Sequence, residues 1–281
     1  MIIDAHCHAW PRWPYEPPVP DDEWRGRVEL LLFEMDQCDV ERAVLICAPI
    51  NRNPENNEYA AEQVRRYPSR LYQFADIDSR WTSTYHTPGA ALRLVELTDR
   101  LPVKGVSHYL KDDDDGSWLA SDEGLRFFQV AADRRLIVSL ATRPHQQPAV
   151  RALAERFPSI PILCNHLSRV EARDGPDSAG LNNILASARI PNIYLKVSGF
   201  GYAARLGWEY PYSDVLSLVR VLYDQFGPYR MIWGSDYPVV RRCMTYRQSL
   251  EVFRTHCIFV PESDKAWILG GTMQKLLEGC G

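Results

Sequence analysis

Short runs of Ile, Val, Leu and aromatic residues recur along the chain, each followed by a stretch whose apolar positions repeat at helical spacing. The runs occupy 1–6, 43–47, 71–77, 105–108, 137–141, 161–164, 193–197 and 231–233. Most are near-continuously apolar rather than alternating, as strands of a parallel sheet covered on both faces are. Helical patterns occupy, among others, 28–38, 58–67, 88–100, 123–134, 147–157 and 212–226. Eight alternations in 281 residues predict an α/β fold, a single (β/α)8 TIM barrel formed by one domain spanning 1–281. No G-x-G-x-x-G follows the first strand, which speaks against an open dinucleotide-binding sheet.

In such a barrel the chemistry gathers at the C-terminal ends of the strands. His6-Cys7-His8 ends the first run, and residues two apart on a strand point the same way, so two imidazoles face one place. Two solvated histidines on a surface strand would read identically, so the pair needs partners. His166, after the sixth run, and Asp236, after the eighth, supply them. Three imidazoles and a carboxylate are a donor set for one divalent ion with room for a water. Asp236 has a second use, as the base that takes a proton from that water.

Composition narrows the partners. The chain is 46% hydrophobic and 24% charged with a net charge of −4 and both signs dispersed, so no basic footprint for nucleic acid or membrane stands out. No apolar run approaches the ~20 residues of a membrane span. A small-molecule partner is expected, and a homo-oligomer is left open. Seven scattered cysteines without a CxxC pair read as reduced thiols, and the N-terminus shows no targeting pattern, so the expected location is cytoplasmic. The acidic run 112–115 lacks the alternating ligand spacing of a calcium loop and reads as solvated loop. The proline-rich stretch 11–20, with Trp13 and Tyr15, is too long for a tight turn and reads as a lid or pocket wall. Arg143, Lys196 and Arg241 follow strand ends, where cations bind substrate oxygens or pair with neighbouring acids. Trp10, Trp13 and Tyr237 either stack on a substrate ring or pack. His86, His145 and His256 read as surface or packing residues. Cys7 should point away from the barrel interior and is not expected to be a nucleophile.

HxH on the first strand, Asn165-His166-Leu167-Ser168 on the sixth and Gly234-Ser235-Asp236-Tyr237-Pro238 on the eighth resemble the amidohydrolase superfamily, amidohydrolase-2 family, over the whole chain. The segments 103–110, Trp118-Leu119 and 141–148, and Lys196-Val197-Ser198-Gly199, are similar to its lactonase branch, which acts on sugar lactones, pyrone dicarboxylates and sulfomuconolactones. The resemblance implies His6, His8, His166 and Asp236 as metal ligands, His166 and Asp236 as catalytic residues, and His108 as a pocket residue. It implies zinc most readily, with manganese the alternative ion, while some members of the branch work without metal. The chain departs from the family in three places: the fifth strand carries no histidine, Asn165 and Ser168 replace the usual Asp and Gly, and Ser107 stands where Arg is usual. The missing histidine argues against a binuclear centre.

The expected activity is hydrolysis of a lactone or related cyclic ester of a small polar or sugar-acid substrate, an esterase-type reaction (EC 3.1.1). The expected substrate-binding residues are His108, Arg143, Lys196, Trp10 and Tyr237. The alternatives are a metal-dependent non-oxidative decarboxylase of an aromatic or enolic acid, and a non-catalytic sugar-acid-binding barrel.

Overall fold

The computed structural model describes residues 1–16 and 19–280. Eight strands, β1 (Ile3–Cys7), β2 (Arg42–Ile46), β3 (Leu71–Asp76), β4 (Gly105–Tyr109), β5 (Ile137–Ala141), β6 (Ile162–Cys164), β7 (Ile193–Val197) and β8 (Met231–Trp233), form one parallel sheet in sequential order. Helices α1 (Val28–Gln37), α2 (Asn56–Arg66), α3 (Ala90–Arg100), α4 (Asp122–Asp133), α5 (Gln147–Arg156), α6 (Ala179–Ser187), the short α7 (Phe200–Ala203) and α8 (Ser213–Phe226) run between or after the strands. Then α9 (Tyr246–Arg254), α10 (Glu262–Ala266) and α11 (Thr272–Gly279) complete the chain. The expected (β/α)8 barrel is the fold observed. Each strand lies within a residue or two of its expected position, because strongly apolar runs bounded by polar turns leave little choice of register. Helix α6, AGLNNILAS, has no counterpart among the helical patterns named above, since its small residues and paired asparagines blur the amphipathic period. None of the helices described is long and apolar enough to cross a membrane.

Two apolar layers hold the barrel. Ile3, Ala5, Val44, Ile46, Phe74, Ile137, Leu163 and Ile232 fill the interior, with Met273 and Leu277 of α11 packed into the same cluster. The alternate positions, among them Cys7, Leu45, Val106, Leu140, Cys164, Leu195 and Trp233, belong to the cluster shared with the surrounding helices. This period-2 division is what a strand buried on both faces imposes.

Closure between β8 and β1 is made just beyond the end of β8. The Asp236 amide donates to the His6 carbonyl at 2.7 Å, and the His8 amide to the Tyr237 carbonyl at 2.6 Å. Asp4 fastens the seam by accepting from the Ser235 amide (2.9 Å), Ser235 Oγ (2.5 Å), Tyr246 Oη (3.1 Å) and the His6 amide (3.1 Å). Burial pushes the Asp4 carboxyl up to about 6 in spite of these donors. Gly234 permits the approach: a Cβ there would lie 2.6 Å from His6 Cβ and 2.9 Å from the His6 nitrogen.

Candidate active site

A break in regular pairing aims the first two functional side chains. Strands β1 and β2 pair at Asp4 with Ala43 and again at Cys7 with Leu45, so β1 spends one extra residue between those points. Ala5 belongs to the interior cluster and Cys7 to the outer one. In unbroken alternation His6 would face out; the bulge turns it inward, and His8 follows it two residues on. Cys7, donating to the Val44 carbonyl at 3.4 Å, is held out of the barrel interior as expected.

The four principal residues converge. The Nε2 atoms of His8, His6 and His166 stand 3.4, 3.7 and 3.8 Å from Asp236 Oδ1. Donor atoms of His6, His166 and Asp236 lie within 4.8 Å of one another, and His8 joins them through its approach to Asp236. Each imidazole is oriented by a contact at its other nitrogen. His8 Nδ1 lies 2.7 Å from the Ile46 carbonyl, an acceptor, so Nδ1 donates there and Nε2 is the nitrogen turned toward Asp236. His166 Nδ1 lies 2.9 Å from Ser198 Oγ, and His6 Nδ1 lies 3.1 Å from Lys196 Nζ. Tyr202 Oη donates to Asp236 Oδ2 at 2.5 Å, leaving Oδ1 to the histidines.

Local backbone supports this. Residues His166, Leu167, Ser168 and Arg169 all have φ between 52° and 59°, a left-handed turn without glycine that neighbouring structure must hold in place. Gly199, itself at φ 71°, admits His166, since a Cβ there would lie 2.8 Å from His166 Cβ. Burial lowers His166 to about 4, and burial together with the Lys196 charge takes His6 well below its usual range. Burial pushes the Asp236 carboxyl up, but His166, His8 and the Tyr202 hydroxyl outweigh it and hold Asp236 below its ordinary value. The site therefore presents a carboxylate beside the neutral imidazoles of His6 and His166.

His8, His166 and Asp236 open onto a cavity of about 310 Å3 at the C-terminal end of the barrel. Tyr15 lines it, so part of the proline-rich stretch is a pocket wall as expected; residues 17 and 18 of that stretch lie outside the described residues. A larger cavity, about 560 Å3, is walled by Tyr194, Tyr229 and Trp267 near the N-terminal ends of β5 to β7 and contains none of these four residues.

Of the five expected substrate-binding residues, only Arg143 lines the cavity, paired there with Asp112 at 2.6 Å. His108 is corrected: it shares the outward register of Val106 on β4, is fully buried, and stacks on Trp118 with its Nε2 3.2 Å from His86 Nε2. Lys196 is corrected too. It faces the barrel interior beneath His6, fully buried, and donates to Ser139 Oγ at 2.9 Å. Trp10 is buried, stacks on His8 with ring centroids 4.9 Å apart and donates to the Ala48 carbonyl, so it supports His8 rather than facing the cavity. Tyr237 is buried against Tyr246 and serves the barrel seam through its carbonyl. The acidic run is loop, with Asp112 pairing both Arg80 and Arg143.

Tyr202, Tyr109 and Arg169 belong to the cavity wall and were missed by the sequence reading. Arg169 had a signal, since it directly follows the Asn165–Ser168 motif, and Tyr109 lies in the segment 103–110; Tyr202 had none.

The family model described as amidohydrolase matches residues 3–278. The chain is 32% identical over 258 residues to an L-fucono-1,5-lactonase from Burkholderia ambifaria, covering 85% of this chain and 81% of that one. It is 37% identical over 93 residues to a 4-sulfomuconolactone hydrolase from Hydrogenophaga intermedia, covering 32% of this chain and 29% of that one. Among solved structures it resembles an amidohydrolase from Burkholderia multivorans with bound zinc, with a TM-score of 0.79, 18% identity and 99% of each chain covered. That last likeness is one of fold.

Proposed function

The chain belongs to the amidohydrolase family, and on that footing we propose that it hydrolyses a lactone or related cyclic ester of a small polar substrate. The observation that carries the reading is the carboxylate of Asp236, with one oxygen fixed by Tyr202 and the other facing three imidazole nitrogens at 3.4 to 3.8 Å. The lactonase relative that matches most of the chain supports the same class of substrate.

Asp236 Oδ1 is placed to accept a proton from a water entering among the histidines, and the protonated carboxyl can then return it to the leaving alkoxide. Tyr202 keeps the carboxylate oriented through this cycle. Trp10 and the Ile46 carbonyl fix the ring of His8, Ser198 fixes His166, and Lys196 fixes His6, so the face toward the substrate reorganises little as charge develops.

The residues fit a divalent ion. His6 Nε2 is buried with no hydrogen-bond partner among the described residues, His8 Nε2 is turned the same way, and a carboxylate faces both. His6, His166 and Asp236 would hold the ion, with His8 completing the set, and zinc or manganese there would supply Lewis-acid polarisation of the lactone carbonyl.

A panel of γ- and δ-lactones followed by pH-stat titration tests the proposal, with the protein assayed as purified and after chelator treatment. Ring-opened hydroxy acid is the expected product. Release of CO2 from aromatic or enolic acids, with no lactone opened, would overturn it in favour of a decarboxylase. Ligand-induced thermal shifts without any product would favour a binding barrel.

A further inference from the structure

One wall of the cavity is built from arginine. Arg80, Arg143 and Arg169 all line it. Asp112 serves two of them, 3.1 Å from Arg80 and 2.6 Å from Arg143. The other acid of the cavity, Asp236, is committed to Tyr202 and the histidines. Arg169 has no carboxylate partner among the described residues; its guanidinium instead lies 4.6 Å over the ring of Tyr202.

We propose that Arg169, with Arg143 beside it, binds a carboxylate carried by the substrate, so that the protein acts on acidic lactones in preference to neutral ones. The inference deepens the lactone reading, and its kinetic arm rests on it. A guanidinium presents paired donors that match a carboxylate, and in a partly buried cavity such a charge-assisted contact is strong. The Tyr202 ring holds the guanidinium by its face and leaves its N–H edge free. A second observation points to a ligand at this wall. Tyr109 also lines the cavity, is only 9% exposed, and its hydroxyl has no hydrogen-bond partner among the described residues. A buried unpaired hydroxyl is costly, and an oxygen-rich ligand would satisfy it. Burial, and then the neighbouring Arg143 charge, push the Arg169 guanidinium below its ordinary value, a strain that an incoming anion relieves.

The test compares 5-oxotetrahydrofuran-2-carboxylate with its carboxamide, the same lactone ring with and without a charge. Wild-type kcat/KM should favour the acid by at least about tenfold, and Arg169→Gln should reduce that preference about 10- to 100-fold, mainly through KM. Arg169→Lys should keep part of it, because the charge remains. Calorimetry with cyclopentanecarboxylate and cyclopentanecarboxamide, which cannot be hydrolysed, provides a second arm. The wild type should bind the acid more tightly, and Arg169→Gln should not. If neither lactone opens, the lactone reading fails for this ring while the binding arm still decides the inference. Equal binding of acid and amide by the wild type would overturn the inference. So would an Arg169→Gln variant that weakens both lactones equally, since Arg169 would then serve only to hold Tyr202.

Discussion

Lys196 Nζ lies 3.1 Å from Nδ1 of His6, deep in the barrel and with no ion pair to a carboxylate among the described residues. An ammonium can only donate, so in that state it places the His6 proton on Nε2, facing Asp236. That proton occupies the nitrogen an ion would need, and the same contact sets a cation against the ring. Lys196→Met should therefore bind zinc more tightly than the wild type, by about tenfold or more in competition with a chelating dye. Unchanged or weaker zinc binding would show that Lys196 does not govern the ring.

The same lysine should leave a mark on stability. Burial lowers it from 10.5 to about 7. Between those values the unfolded chain holds the proton and the folded chain does not, so stability should fall as pH drops from about 10 to 7. Thermal melts of wild type and Lys196→Met across this range should diverge, the variant losing that slope and being at least as stable at pH 7.

Asp236→Asn keeps the shape of the side chain and removes its basicity. Lactone turnover should fall about 10²- to 10⁴-fold, with the melting temperature little changed. Near-wild-type kinetics in stopped assays of ring opening would remove Asp236 from the role of base.

The acid limb of the pH–rate profile should lie near 4 rather than 6.5, because burial disfavours the His166 imidazolium and holds that ring at about 4. Above that value the ring is neutral. Since the unfolded chain takes up this proton first, stability should also decline as pH falls from 6.5 through 4. Initial rates in overlapping buffers check the first expectation, and urea midpoints at matched pH the second.

Asp4→Ala would strand four donors at the seam of β1 and β8: the amides of His6 and Ser235, and the hydroxyls of Ser235 and Tyr246. A loss of about 2–4 kcal/mol is expected in urea unfolding. Because the seam also carries His6 and Asp236, kcat should decline as well, and Asp4→Asn should recover part of both.

Local pattern alone determined much of this protein. Eight apolar runs at βα intervals specify a barrel and set His6, His8, His166 and Asp236 at its strand ends, because each signal lies within a few residues of the strand it marks. Side-chain direction was a different matter. It depends on register between strands far apart in sequence: the bulge in β1 turns His6 inward, and the phase of β4 sends His108 out among Trp118 and Phe127. The position of Lys196 beneath His6, the hold of Tyr202 on Asp236 and the stacking of Arg169 on Tyr202 likewise join segments with no shared local pattern. Only closure of the barrel, which brings β1 against β8 and lets Lys196 of β7 reach His6, decided them.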